Sequence, residues 1–400
     1  MKICIISNLY PPQARGGAEL VAQRVADALY EKGHDVFVLT TQPFDGLRSL
    51  VPRIHTHYLG SVYRFFPLNF YHIKNDGLIP FPIRLLWHVV DLFNPFSRAA
   101  VRTLIRREEP DVVITHNLKG LGVSVGKEIQ RLGVSHIHVI HDVQLSVPSG
   151  LLIYGQEDSW LNRSFLRRLY ERGVRRSIGT PDLVLSPSKF LASFYQDRAL
   201  FTDTRVEVLQ NPLPPVEDEP RGERIAPRTR FLYVGQLETH KGIMLMLDAL
   251  EAFDDDVELH IAGDGALSDY VSERAERDGR IKFHGFVSLE HLVSILQASD
   301  AVLVPSLCYE NSPTVIYEAF QVGVPVIASR VGGIPELIEE GETGLLVEPN
   351  SQEALAEAMK RIHTERDVWW GKTETIRIQA QKYALQKYVK RLEALMSELK

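Results

Sequence analysis

Cysteine is nearly absent from this chain. Cys4 and Cys308 are the only two in 400 residues, far apart and each inside an apolar run. Thiols so placed read as buried and reduced, and they exclude a disulfide-stapled secreted scaffold. Long apolar runs are missing too: no stretch reaches the roughly 20 residues of a membrane-spanning helix. The opening Met1–Ser7 run is too short for a signal-peptide core, and Pro11-Pro12 follow it closely. A cytoplasmic protein that does not cross the bilayer is expected. No recognition motif accompanies the basic residues, so no nucleic-acid partner is expected. Metal-ligand sets are lacking as well. His136, His138 and His141 lie close together, but no Cys or carboxylate completes them at ligand spacing, so they read as buried or edge histidines. Asp254-Asp255-Asp256 precedes a strand pattern instead of ending one and reads as a solvated turn.

What is present is ample apolar material, 44% of residues, enough for two cores. Both halves alternate short apolar strands with helical patterns. In the first, strands are expected at 2–7, 35–40, 111–115, 136–140, 182–186 and 206–209, with a helix near 18–32. In the second they are expected at 230–235, 257–262, 281–284, 301–305 and 324–328. That pattern predicts parallel sheets covered on both faces. Asn211–Arg228 holds five prolines among mixed charges and reads as a linker. The reading is therefore α/β, with two Rossmann-like domains facing a central cleft: residues 1–210, a linker at 211–228, and residues 229–374. A long helix over 375–400 is expected to pack back on the first domain. The net charge of −6 is uneven: residues 1–210 carry 25 Lys and Arg against 19 Asp and Glu, and the rest carries 20 against 32. A basic lobe beside an acidic one suggests different partners.

Ligands of open parallel sheets bind at the carboxyl ends of the strands, and the motifs fall there. Gly16-Gly17 opens the first helix, where backbone without Cβ atoms approaches a phosphate or sugar closely. His141-Asp142 ends the strand at 136–140, an imidazole and a carboxylate suited to positioning a hydroxyl or taking up a proton. Gly235-Gln236 follows the first strand of the second domain, and Lys241 in the same loop can neutralise a phosphate. Gly263-Asp264-Gly265 begins like a dinucleotide fingerprint but has Ser268 at the third glycine position; it reads as a turn beside a nucleotide. The most informative run is Glu310-Asn311-Ser312-Pro313-Thr314-Val315-Ile316-Tyr317-Glu318. Ser312 is expected to cap a helix with Pro313 at its first position, leaving the Thr314 and Val315 N–H groups as an anion site flanked by two carboxylates. Such a site suits a nucleotide-sugar. A structural reading stands beside each motif: tight turns for the glycines, loop-capping bonds for His141-Asp142, a solvated loop for Lys241.

Assembled, the motifs resemble the retaining GT-B glycosyltransferases of family four, also called glycosyltransferase group 1. The resemblance spans nearly the whole chain. Glu310 through Glu318 matches that family's paired-glutamate motif, followed by Gly323–Ala328, Val331-Gly332-Gly333-Ile334-Pro335-Glu336 and Gly344–Val347. The resemblance implies that Glu310 holds sugar hydroxyls near the reacting carbon and Glu318 binds the ribose. It implies that Lys241 and the Thr314 and Val315 N–H groups stabilise the leaving diphosphate without metal. His141 would contact the sugar and Asp142 would face the acceptor. Retention by same-face attack is implied too. Gln236 departs from the pattern, which usually has arginine there. No cofactor is implied beyond the nucleotide-sugar co-substrate. A phosphorylase-like enzyme on the same fold, or a non-catalytic sugar- or lipid-binding relative, are the alternatives.

Two stretches look suited to a greasy, anionic surface. Tyr63–Phe96 is rich in aromatics, and Arg98, Arg102 and Arg106 follow on one helical face. Arg163, Arg167, Arg168, Arg172, Arg175 and Arg176 are interleaved with Phe165, Leu166 and Leu169. Basic amphipathic helices lie on anionic membranes, so a sugar or lipid-linked acceptor met at the inner face of the membrane is expected. A solvated basic face over an ordinary core is the alternative.

Overall fold

Alternation along the strands explains the two-sided cores. In β1 (Lys2–Ile6), Ile3 and Ile5 face one apolar cluster while Cys4 and Ile6 face another on the opposite side of the sheet. Val36 and Val38 against Phe37 and Leu39 repeat the pattern in β2 (Asp35–Thr41). A strand buried on both faces must be apolar throughout. The computed structural model describes residues 1–14, 16–57, 60–213, 221 and 227–399. Most of the expected linker at 211–228 lies outside the described residues. The chain forms two units, Met1–Leu151 with Asp158–Pro212 and Leu385–Lys400, and Leu152–Glu157 with Leu213–Ala384.

In the first unit, β1 is followed by α1 (Gly17–Glu31), β2, β3 (Arg53–His57), β4 (Gly60–Phe65), α2 (Phe81–Phe93), α3 (Pro95–Glu108), β5 (Val112–Thr115), α4 (Val125–Arg131) and β6 (Ser135–Val139). Then come α5 (Trp160–Arg163), α6 (Phe165–Ile178), β7 (Leu183–Ser186), α7 (Lys189–Gln196) and β8 (Arg205–Val208). The sheet order is β3-β4-β2-β1-β5-β6-β7-β8, parallel except for β3, which pairs antiparallel with β4. β3 and β4 are not among the strands expected from the sequence, and Tyr63 and Phe65, expected on a greasy surface, lie in β4. Tyr63, Phe65, Phe66, Tyr71 and Trp87 are buried, whereas Phe70, Phe93 and Phe96 are exposed.

The second unit runs β9 (Thr229–Val234), α8 (Ile243–Ala249), β10 (Val257–Ala262), α9 (Ser268–Arg277), β11 (Ile281–Gly285), α10 (Leu289–Gln297) and β12 (Ala301–Val304). It continues with α11 (Thr314–Val322), β13 (Val326–Ser329), β14 (Gly344–Val347), α12 (Gln352–Thr364), α13 (Arg366–Gly371) and α14 (Thr373–Ala380). The all-parallel order β11-β10-β9-β12-β13-β14 is that of a dinucleotide-binding sheet, reversing direction between β9 and β12.

The expected single helix over 375–400 is two. α14 ends at Ala380, a 3-10 turn follows, and α15 (Leu385–Glu398) belongs to the first unit. There Tyr388, Val389, Leu392, Leu395 and Met396 join the α1 core, and Glu393 accepts from Lys32 at 2.7 Å.

Of the expected basic face, Arg106 is exposed, while Arg98 and Arg102 are partly engaged by a carboxylate. Both turn onto Glu128 of α4, whose side chain is 3% exposed, with Nε to carboxylate distances of 3.1 and 2.6 Å. The Arg102 bond foremost, and the Arg98 bond with it, hold the Glu128 carboxyl below the usual range against burial. Both cysteines are free and buried. Among the described residues no helix is long and apolar enough to cross a membrane.

Candidate active site

The reversal of strand order in the second unit brings two loops together. The loop after β9 carries Gly235, Gln236 and a 3-10 turn, Thr239–Lys241; the loop after β12 carries Ser306 to Glu310. Gly242, at φ +79°, closes the turn, and a Cβ there would sit 2.0 Å from the Pro305 carbonyl oxygen. Only glycine allows that approach. Leu307 and Cys308 donate their N–H groups to the His240 carbonyl at 2.9 and 3.3 Å. The loops so joined place the Lys241 ammonium on Glu310 Oε1, which also accepts the Ser306 hydroxyl at 3.1 Å. Burial opposes the Lys241 charge, but Glu310 outweighs it and holds the ammonium above its ordinary pKa. Cys308, its Sγ 3.9 Å from Glu310 Oε1, is pushed up to about 12 by burial and that carboxylate, so the thiol stays protonated.

Helix α11 starts one residue later than expected. Pro313, not Ser312, occupies the N-cap position, Thr314 is the first helical residue, and the Ser312 hydroxyl meets the Tyr317 hydroxyl at 2.6 Å. Proline offers no side-chain acceptor, so Pro313 itself makes no capping bond to the first turn, which begins with Thr314 and Val315. Glu318 lies half-buried in the second turn. Gln236 is exposed, and its backbone carbonyl accepts from Tyr233 at 2.7 Å. Gly265 is explained by packing: a Cβ would lie 2.6 Å from the Leu237 carbonyl oxygen. The purely structural reading of the Gly263–Gly265 turn therefore has a physical basis.

In the first unit, Gly16 caps α1 and donates its N–H to Glu19 at 2.9 Å. His141 and Asp142 follow β6, half-buried. The His141 ring stacks on His116, with Nε2 2.8 Å from His116 Nδ1. Burial brings His141 down to about 4 and His116 well below its ordinary value, so the pair is neutral at pH 7. Asp142 Oδ1 accepts the Gln144 N–H at 2.8 Å, and burial pushes its carboxyl up to about 6. His138, His141, Asp142, Gln144 and Tyr170 line a cavity of about 20 Å3, room for one water. His136 and His138 are buried, both on the Thr115 hydroxyl at 2.8 Å. Among the described residues no group of three His, Cys, Asp or Glu side chains is arranged to hold a metal.

Sequence reasoning missed His116, Ser306 and Tyr309. His116 carried a usable signal, since it directly follows β5, much as His141 lies just past β6. Tyr309 carried none, because its partner is Glu157, 152 positions away.

The family model described as Glycosyl transferases group 1 matches residues 217–383, and that of Glycosyltransferase Family 4 matches residues 15–216. A putative teichuronic acid biosynthesis glycosyltransferase of Bacillus subtilis is 25% identical over 92% of this chain and 90% of its own length. An uncharacterized glycosyltransferase of Methanocaldococcus jannaschii is 25% identical over 97% and 94%. Among solved structures, sucrose-phosphate synthase from Thermosynechococcus elongatus superposes with a TM-score of 0.75 at 20% identity, covering 100% of this chain and 98% of its own. Anabaena HepE, solved with UDP-glucose, gives 0.71 at 20% identity with full coverage of both chains.

Proposed function

The chain belongs to glycosyltransferase family 4, and from that premise we propose that it moves a sugar from a nucleotide-sugar to an acceptor hydroxyl with retention, in polysaccharide or glycoconjugate synthesis. The observation that carries the donor reading is the Lys241–Glu310 pair at the point where the strand order reverses. A diphosphate reaching Lys241 competes with Glu310 for the ammonium. The carboxylate is then released to accept from sugar hydroxyls as the glycosidic bond to phosphate breaks. Lys241 and the first-turn N–H groups of α11 neutralise the departing charge, with no metal required. Glu318 binds the ribose, and Gly16, Gly17, Gly235, Gln236 and Gly265 border the donor. His141 serves the sugar and Asp142 the acceptor hydroxyl. A carboxyl that titrates near 6 is suited to exchange a proton near neutral pH.

The acceptor is a sugar or a lipid-linked sugar presented at an anionic membrane surface. Helix α6 supports this, because its exposed residues combine Phe165, Leu166 and Leu169 with Arg168, Arg172, Arg175 and Arg176. The test is a panel of UDP-, GDP- and ADP-sugars with candidate acceptors in EDTA, products weighed by mass spectrometry and the new anomeric centre read by NMR. Transfer with an unchanged anomeric configuration supports the reading. Inversion, phosphate dependence in place of a nucleotide, or a strict metal requirement rejects it.

A further inference from the structure

Six residues in the first half of the chain belong to the second unit. Leu152–Glu157 leaves the first unit after Leu151 and rejoins it at Asp158. Ile153 forms an antiparallel bridge with Cys308. The Tyr154 N–H donates to the Leu307 carbonyl at 2.8 Å, and the Tyr309 N–H donates to the Leu152 carbonyl at 2.8 Å. Two side chains pin the ends. The Tyr309 hydroxyl donates to Glu157 Oε1 at 2.6 Å, and the Tyr154 hydroxyl donates to Glu348 Oε1 at 2.5 Å, just beyond β14. Glu157 also accepts the Gly155 N–H at 2.9 Å.

The held segment, Leu307–Tyr309, lies between the end of β12 and Glu310. It has left its sheet, so it depends on other partners for its backbone bonds. One partner is the His240 carbonyl beside Lys241; the other is Leu152–Glu157. The same six residues add little core, since Leu152 alone is buried while Tyr154, Gly155 and Gln156 are exposed. Their bonds are spent on location, not on burial.

We propose that Leu152–Glu157 is a positioning strap for the donor site, with Tyr154 and Glu157 as its positioning residues acting on Glu310 and Lys241 through Leu307–Tyr309. This rests on the donor reading given above. A reacting group displaced by about 1 Å loses on the order of 100-fold in rate, so a strap that fixes one loop acts on turnover before it acts on binding.

The test uses the full chain. Glu157→Ala and Tyr309→Phe should each lower kcat about ten-fold, while affinity for the free nucleotide that wild type binds stays within about two-fold. Glu157→Gln keeps an acceptor oxygen and should restore most of the loss. The double variant Tyr309→Phe/Glu157→Ala should be no worse than either single one. Hydrogen exchange at residues 307–309 should quicken in Glu157→Ala whether or not turnover is measured. Wild-type kcat in Glu157→Ala, a loss that follows melting temperature, or unchanged exchange at 307–309 overturns the strap. Wild-type protein that uses no nucleotide-sugar defeats the donor reading instead, and the exchange measurement still decides whether the strap holds the loop.

Discussion

The Glu310 carbonyl accepts the Gly333 N–H at 2.7 Å, and a Cβ on Gly332, at φ +63°, would fall 2.1 Å from that same oxygen. The backbone of one proposed catalytic residue thus rests on the glycine pair of a distant motif. Gly332→Ala must meet both the left-handed conformation and the clash. It should lose roughly 2–4 kcal/mol of stability. Gly341→Ala, at φ +79° with nothing within 4 Å of its Cβ, should lose only about 1 kcal/mol. Denaturant midpoints for the two variants measure the difference; equal values would show that Glu310 yields freely.

Glu310→Gln should cut turnover at least 100-fold and change free-nucleotide affinity little, because its proposed partner is the sugar as the bond breaks. Glu318→Ala should instead weaken nucleotide binding by about 1–2 kcal/mol through lost ribose bonds. Calorimetry that finds the two variants alike in nucleotide affinity rejects these roles.

Gln236→Arg adds a charge to the loop that carries Lys241. An arginine there should tighten donor binding by roughly 1–3 kcal/mol. A fall in affinity would mean that another cation already occupies the space.

Asp91 on α2 is 3% exposed, accepts the Gly120 N–H at 2.9 Å through Oδ2, and has no hydrogen-bond partner at Oδ1 among the described residues. Burial raises its carboxyl from 3.8 to about 7. A raised acid gives stability that is fully present below its unfolded value and lost as pH rises through the folded one. Asp91→Asn keeps the acceptor for Gly120 and removes the charge. It should be near neutral at pH 4 and stabilising by on the order of 2–4 kcal/mol at pH 8. Melting curves at the two pH values check the sign, and a stabilisation that shrinks as pH rises contradicts it.

Arg163 pairs with Asp158 at 2.7 Å and Arg167 lies 3.8 Å from Glu171, so neither is the best probe of a membrane surface. Reversing Arg168, Arg172, Arg175 and Arg176 to Glu should abolish sedimentation with anionic liposomes at low salt and leave nucleotide binding unchanged. Each residue contributes about 1 kcal/mol at most. Arg98→Ala with Arg102→Ala should do the opposite, leaving Glu128 buried without those partners. That double variant should lower the melting temperature without a specific effect on liposomes. Wild-type protein that stays in the supernatant rejects the membrane surface.

The chain's own sequence determined the two α/β units, most of their strands and the loops in which the site is proposed to lie. Those follow from local facts: apolar runs of strand length between helical patterns, and glycines, Lys241 and paired glutamates placed just past the strands. It did not reveal β3 and β4, because Arg53–Phe65 alternates too irregularly beside an edge, nor β14, a strand of only four residues at the other sheet's edge. Nor did it show that Pro313, not Ser312, stands at the head of α11, a choice made when Ser312 finds Tyr317. Only the tertiary structure decided which charges are paired off, such as Arg98 and Arg102 on Glu128, and which remain exposed, such as Arg172 and Arg175. It alone set His141 against His116 and Glu157 against Tyr309. The physical reason is range. Strand and helix periodicity is written in neighbouring residues, whereas hydrogen bonds, ion pairs and desolvation depend on atoms a few ångströms apart that the chain brings together from any distance along its length.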